Sequence, residues 1–164
     1  SDLMVLQPKL LVCDEAVSAL DVSIQAQIIN LIADLKRDLD TGVLFVSHNL
    51  AVVRRLCDRV LVLYLGKPME TAPTEALFAR PLHPYTRALL AAVPIPDPVR
   101  QPARLAATLG GELPSPLDPP SGCVFRTRCP HAAAACAERA PDFRPPNSTA
   151  LATQRVACHR LEEI

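Results

Sequence analysis

The chain has 164 residues, with 17 basic and 17 acidic side chains and 49% hydrophobic content. Balanced charge removes the electrostatic footprint of a nucleic-acid binder. No apolar run approaches the ~18 to 20 residues of a membrane span, and the N-terminus does not have the form of a signal peptide. The expectation is a soluble, intracellular α/β chain of one domain or one and a part, which would need partner proteins to reach a membrane.

In chain order, the first element is an apolar strand, Leu10 to Cys13, of the kind buried in a parallel sheet. Its carboxyl end, where open α/β sheets place their ligands, carries Asp14 and Glu15. Neighbouring strand residues point in opposite directions, so one acid can reach Mg²⁺ and the other an attacking water. An isolated Asp-Glu pair is more often a solvated loop. Ser18 to Asp21 follow as a polar turn, with Asp21 the N-cap of a helix over Val22 to Leu39. Ile24, Ile28, Leu31, Ile32, Leu35 and Leu39 recur there at helical spacing. Thr41-Gly42 breaks the helix, and Val43 to Val46 forms a second short strand ending in Ser47-His48-Asn49. A lone histidine after a strand is more often a hydrogen-bonded surface residue than a catalyst. Next to the first site, if the two strands are neighbours, it gains a role.

A strand ending in Asp14-Glu15, the turn Ser18 to Asp21, a helix, and a strand ending in Ser47-His48-Asn49 together resemble the C-terminal half of an ABC transporter ATPase subunit. The resemblance implies the C-terminal part of a P-loop NTPase parallel sheet with its helices. In the family's terms Asp14 ends the Walker B strand and Glu15 polarises the hydrolytic water. Ser18 to Asp21 form the D-loop, and His48 senses the γ-phosphate. Phosphoryl transfer is mostly positioning and charge neutralisation, and these are the parts it requires. Ala16-Val17 departs from the Pro-Thr of many members, at positions that supply no chemistry. The sequence contains neither G-x-x-x-x-G-K-[ST] nor Leu-Ser-Gly-Gly-Gln, so these residues alone cannot hold ATP in the family's manner. A fragment, a truncated gene and a split subunit are the three readings. Without the P-loop strand beside it, the Leu10 to Cys13 strand is expected to face solvent or a second chain, and an isolated fragment to aggregate or dimerise.

Asn49 to Cys57 reads as a short amphipathic helix, Arg59 to Tyr64 as a strand, Gly66-Lys67-Pro68 as a turn, and Met69-Glu70 as part of the returning strand. Thr74 to Ala79 and Thr86 to Val93 read as helices, the second ended by Pro94. His83-Pro84-Tyr85 and the following helix resemble the extension after the ATPase core of oligopeptide and dipeptide importers. Twelve of the 17 prolines lie between Pro94 and Pro146, too many for long helices or central strands. Cys123, Cys129, Cys136 and Cys158 occupy this tail as C-x5-C-P-x5-C-x21-C. A small proline-rich lobe has little core and would gain from a cross-linking centre. Two disulfides, a zinc ion or a [4Fe-4S] cluster would each account for four cysteines. The wide spacing favours the cluster over Zn²⁺. Gly111 to Pro130 also looks like the cysteine region of peptide-importer ATPases, whose members carry an iron–sulfur centre. Cys13 and Cys57 read as small buried hydrophobes. His131 and His159 adjoin cluster cysteines but are not needed as ligands.

The chain as a whole resembles the second of the paired ATPases in bacterial oligopeptide or dipeptide ABC importers. The segments implied are 1–80 for the ATPase core, 81–104 for a helix and linker, and 105–164 for the cysteine lobe. The implied function is to couple hydrolysis of ATP, held with Mg²⁺, to peptide uptake from the cytoplasmic face of the inner membrane. The implied partners are a second ATPase, two permeases and, indirectly, a peptide-binding protein. Asp14 would hold Mg²⁺ through water, Glu15 would orient the nucleophilic water, Asp21 would bridge to the partner ATPase and His48 would contact the γ-phosphate, with Ser18 beside Asp14 and Asp21 among the cofactor-binding residues. Nickel and glutathione are the alternative substrates. An iron–sulfur docking or redox-sensing module is the alternative function.

Overall fold

The computed structural model describes residues 8–15, 21–38, 41–93, 112–147 and 153–164. Contacts divide the chain into two compact units, Ser1–Asp58 and Arg59–Ile164. No helix among the described residues is long and apolar enough to cross a membrane.

The first unit holds two strands, β1 (Leu10–Asp14) and β2 (Gly42–Val46), paired in parallel with Leu10 opposite Gly42 and Asp14 opposite Val46. Helix α1 (Val22–Asp38) makes the crossover, and α2 (Leu50–Leu56) follows β2. Asp21 caps α1: its Oδ1 accepts from the Ile24 amide at 2.9 Å, satisfying an amide that the first helical turn leaves unpaired. Alternation divides the sheet into two faces. Cys13 with Leu11, Val43 and Phe45 packs on Ile28, Ile32 and Leu56. On the other face Leu10 and Val12 are each 59% exposed, Leu44 53% and Val46 46%. Ile24 and Leu31, expected in the buried stripe of α1, are exposed as well; Ile29 packs with Val52 in their stead. Leu39 and Ser18 lie outside the described residues. Lys36 ties α1 to the chain after α2 by its ion pair with Asp58, and the Arg55 guanidinium donates to Asn30 at 2.8 Å.

The second unit is built on a four-stranded antiparallel sheet of β3 (Arg59–Tyr64), β4 (Lys67–Pro73), β5 (Phe143–Arg144) and β6 (Arg155–Ala157), in the order β3-β4-β6-β5. The only parallel pairing among the described strands is therefore β1 with β2. The β3–β4 turn is Leu65-Gly66, one residue earlier than expected, with Lys67 and Pro68 already in β4. Both turn residues have positive φ, 47° and 72°, as a two-residue type I′ hairpin requires. The register shifts between Val62 and Leu63, so Met69 and Glu70 are both buried although they are consecutive. Helices α3 (Thr74–Ala79), α4 (Pro84–Ala92) and the short α5 (Ala135–Glu138) complete the unit with a 3-10 turn at Arg126–Arg128.

Proline density argues against central strands in the tail, yet β6 lies between β4 and β5. The reason is local: Arg155–Ala157 contains no proline, and three residues suffice to pair Glu70 with Val156 and Val156 with Arg144. The tail also supplies core. Cys123, Val124, Phe125 and Cys136 form one cluster with Tyr64 and Met69, and Phe125 is fully buried.

Candidate functional site

The joint carboxyl end of the parallel pair brings two of the expected residues together. Because Asp14 stands opposite Val46, the chain leaves both strands at the same level, and the Glu15 amide adds one more rung by donating to the Val46 carbonyl at 3.0 Å. Glu15 there has φ 48°, a left-handed conformation that a non-glycine residue holds only at a cost of about 1–2 kcal/mol. The polar residues beside His48 serve the backbone: Ser47 Oγ accepts from the Asn49 amide at 3.1 Å, and Asn49 Oδ1 accepts from Ala51 and Val52 as the N-cap of α2. His48 is left to project, and its Nδ1 meets Glu15 Oε1 at 3.0 Å. An ionised carboxylate only accepts, so Nδ1 carries the proton and Nε2 faces away. The pair is open to solvent, with the His48 side chain 77% exposed. Asp14 is exposed on the same edge, and Asp21 at the start of α1 is exposed and occupied as the cap.

The four tail cysteines converge. Each of Cys123, Cys129, Cys136 and Cys158 lies within electrostatic reach of the other three. Cys123, Cys129 and Cys136 share one apolar cluster, and Cys158 packs beside Leu82, Val156 and Leu161. Burial pushes the thiols of Cys123, Cys129 and Cys158 up, the last to about 11, and the neighbouring sulfurs push the same way. The close approach depends on Gly122. Its φ is 65°, and a Cβ there would sit 2.4 Å from the Cys136 carbonyl oxygen, which accepts from the Cys123 amide at 2.8 Å. None of the six cysteines is in a disulfide. The expected ligand set is not in the geometry of a bound metal: among the described residues no three His, Cys, Asp or Glu side chains stand close enough to hold a single ion. Neutral thiols pack as hydrophobes and have no reason to point at a common centre. His159 Nε2 lies 2.9 Å from the Arg139 carbonyl. Cys13 and Cys57 sit in the first unit, their thiols also pushed up by burial.

A third constellation was not anticipated from the sequence. Glu70 is fully buried on β4, and its two carboxylate oxygens accept from the amides of Leu82 and His83, each at 2.9 Å. His83, 1% exposed, caps α4 by accepting from the Tyr85 amide at Nδ1 and donates from the other ring nitrogen to the Ala157 carbonyl. Burial holds this imidazole neutral, its pKa lowered from 6.5 to about 4, while burial pushes the Glu70 carboxyl up. His83-Pro84-Tyr85 is therefore a joint between β4, α4 and β6. A glutamate next to a proline-bearing turn in an amphipathic strand offers no periodicity that would mark it as buried.

Residues 69–136 match the family described as oligopeptide/dipeptide transporter, C-terminal region. Over 141 residues the chain is 59% identical to a Brucella ovis protein named as a peptide import ATP-binding protein, covering 86% of this chain and 44% of the relative. It is 55% identical over 138 residues to the oligopeptide transport ATP-binding protein OppF of Escherichia coli, covering 84% and 41%. It is 52% identical over 163 residues to the di/tripeptide transport ATP-binding protein DppF of Pseudomonas aeruginosa, covering 98% and 48%. The chain thus spans less than half the length of the curated relatives it matches.

Proposed function

Over most of its length this chain is homologous to part of the ATP-binding proteins of peptide importers, and from that premise we propose that it is the Walker B and switch-histidine part of an ABC-type ATPase subunit energising peptide uptake. The observation that carries the reading is the 3.0 Å contact between His48 Nδ1 and Glu15 Oε1 at the carboxyl end of a parallel strand pair. Asp14 is assigned to Mg²⁺ through a water, Glu15 to orienting the attacking water, and His48 to the γ-phosphate. Asp21 is assigned to the bridge with a second ATPase, and Ser18 to the nucleotide-binding residues.

The chemistry follows from the side chains. In-line attack on phosphorus needs a carboxylate within reach of the water and a donor for the charge gathering on the equatorial oxygens. Glu15 supplies the first. His48 supplies the second through Nε2, which donates while Nδ1 stays on Glu15 only if the ring is protonated. A neutral ring must release Glu15 to turn a donor toward phosphate. Either way the two residues act as a coupled pair. The P-loop and the Leu-Ser-Gly-Gly-Gln segment are not among these 164 residues, so turnover belongs to the complete subunit.

Residues 1–80 are read as the ATPase part of a P-loop sheet, 81–104 as its helical extension and 105–164 as the cysteine region. The [4Fe-4S] reading of Cys123, Cys129, Cys136 and Cys158 rests on their spacing and on their lying within electrostatic reach of one another, two buried and two half-buried, although their side chains do not stand in a ligand geometry. Zn²⁺ is the alternative. Bound there, the cluster would supply a cross-link within the lobe and a one-electron couple. The names of the relatives favour peptides over nickel or glutathione. The partners on this reading are a second ATPase, two permeases and indirectly a peptide-binding protein, at the cytoplasmic face of the inner membrane.

Glu15→Gln in the complete subunit, assembled with its partners, tests the central assignment. ATP binding is expected to persist and turnover to fall by roughly 10²–10⁴-fold. Unchanged steady-state hydrolysis would overturn the role given to Glu15.

A further inference from the structure

The His48 side chain is 77% exposed, so packing does not hold its ring, and its contact with Glu15 is a solvent-exposed hydrogen bond for which water competes. Such a ring keeps its place only if the backbone that carries it is fixed. The residues on either side fix it. Ser47, half-buried, accepts at Oγ from the Asn49 amide at 3.1 Å, a bond that spans His48. The amide it satisfies precedes the first turn of α2, so the bond orders the turn rather than the helix. Asn49, also half-buried and extended, accepts at Oδ1 from the amides of Ala51 at 3.1 Å and Val52 at 3.4 Å. Its carbonyl accepts from the Val53 amide at 3.1 Å, which ties the turn to α2.

Helix α2 in turn grips the other half of the site. Val52 packs on Ile29 of α1, and Leu56 packs with Ile32 and with Cys13, the residue before Asp14. Glu15 is held from its own side by the bond of its amide to the carbonyl of Val46, the residue before Ser47. Bonded and packed groups therefore run from Cys13 through α2 to Asn49, and return through His48 to Glu15. The Asn49 side chain is committed to the helix amides and not to the Glu15–His48 pair, so it can act on the pair only by fixing the backbone between them.

We propose that Asn49, assisted by Ser47, is a positioning residue for His48, its cap holding the backbone so that Nδ1 stays on Glu15 and Nε2 faces the place assigned to the γ-phosphate. This rests on the ATPase reading of Glu15 and His48. With the ring on Glu15 the proton is fixed at Nδ1, whereas a ring set free prefers to carry it at Nε2. The tautomer therefore reports whether the cap acts through His48.

The test uses the complete subunit, assembled with its partners for turnover and labelled with nitrogen-15 in its histidine rings for NMR. Wild type is compared with Asn49→Ala, Asn49→Asp and Ser47→Ala. Asn49→Ala is expected to lower kcat by roughly 3- to 30-fold, the equivalent of one lost N-cap. Its affinity for ADP, which lacks the γ-phosphate, should stay at the wild-type value, and its His48 ring should lose the Nδ1–H signature. Asn49→Asp keeps a capping oxygen and should restore both readouts. Ser47→Ala should move both in the same direction by less, and it carries the comparison if Asn49→Ala does not fold. Wild-type turnover with the signature intact would overturn the role of Asn49. Lost turnover with the signature intact would do the same, since the cap would then act otherwise than through His48. A lost signature with wild-type turnover would overturn the role given to His48 and the proposal with it.

Discussion

Acid should loosen the second unit through His83, and the size of the effect can be worked from its surroundings. The ring is buried and neutral, with Nδ1 committed to the Tyr85 amide and the other nitrogen to the Ala157 carbonyl, and Arg87 nearby further disfavours a second positive charge. Its pKa falls from 6.5 to about 4 on folding. The unfolded chain therefore binds the proton first. The stabilisation is fully present above pH 6.5 and is lost as the pH falls toward 4, amounting to roughly 3 kcal/mol at the lower end. Glu70 works in the opposite sense: its raised carboxyl takes up a proton more readily in the folded form, which offsets part of the loss. The assay that isolates His83 is urea unfolding from pH 7.5 to 4 of wild type beside His83→Asn. The asparagine retains a capping oxygen and does not titrate, while Glu70 is common to both proteins. The variant is expected to begin about 2 kcal/mol less stable at neutral pH, from lost packing and the lost bond to Ala157, and to show the flatter profile. Parallel profiles would refute the claim that His83 is buried neutral at this joint.

Two further substitutions probe the same unit. Gly122→Ala should cost about 2–4 kcal/mol, because the new Cβ meets the Cys136 carbonyl and the φ of 65° disfavours any side chain; a melting curve measures this, and a wild-type midpoint would show that the backbone yields freely. Glu70→Ala should cost about 2–4 kcal/mol by leaving the amides of Leu82 and His83 buried without an acceptor. Hydrogen exchange at those two amides should accelerate, and continued protection would show another acceptor taking over.

The legible parts of the fold were those with strong local signals. Helix Thr74–Ala79 and strand Arg59–Tyr64 lie where proline, turn residues and alternating apolar residues indicate. The Glu15–His48 contact was legible because two short apolar runs each end in polar residues, so that parallel pairing, with Asp14 opposite Val46, brings the two ends together. The antiparallel sheet of the second unit was not. Strand β6 is three residues long, and its partner β4 is remote in sequence, so no local pattern links Val156 to Glu70. The hairpin turn slipped by a residue because Leu65 adopts a positive φ that its side chain disfavours, which only the pairing of Tyr64 with Lys67 imposes. Spacing gave the number of tail cysteines. Their convergence depends on the single close backbone approach at Gly122.

The position of β6 sets the order in which the second unit can be made. Hairpin β3–β4 is complete soon after Pro73 emerges from the ribosome, but β4 then presents an open edge until Arg155–Ala157 has been synthesised. Closing that long loop carries an entropic penalty, and non-local pairing of this kind is slow. Throughout that interval Glu70, whose carboxylate later meets amides on the far side of α3, stands beside an unpaired strand edge. A nascent chain stalled before residue 155, or one nicked by a protease there, loses the middle of a sheet, and β5 is cut off from β4 with it.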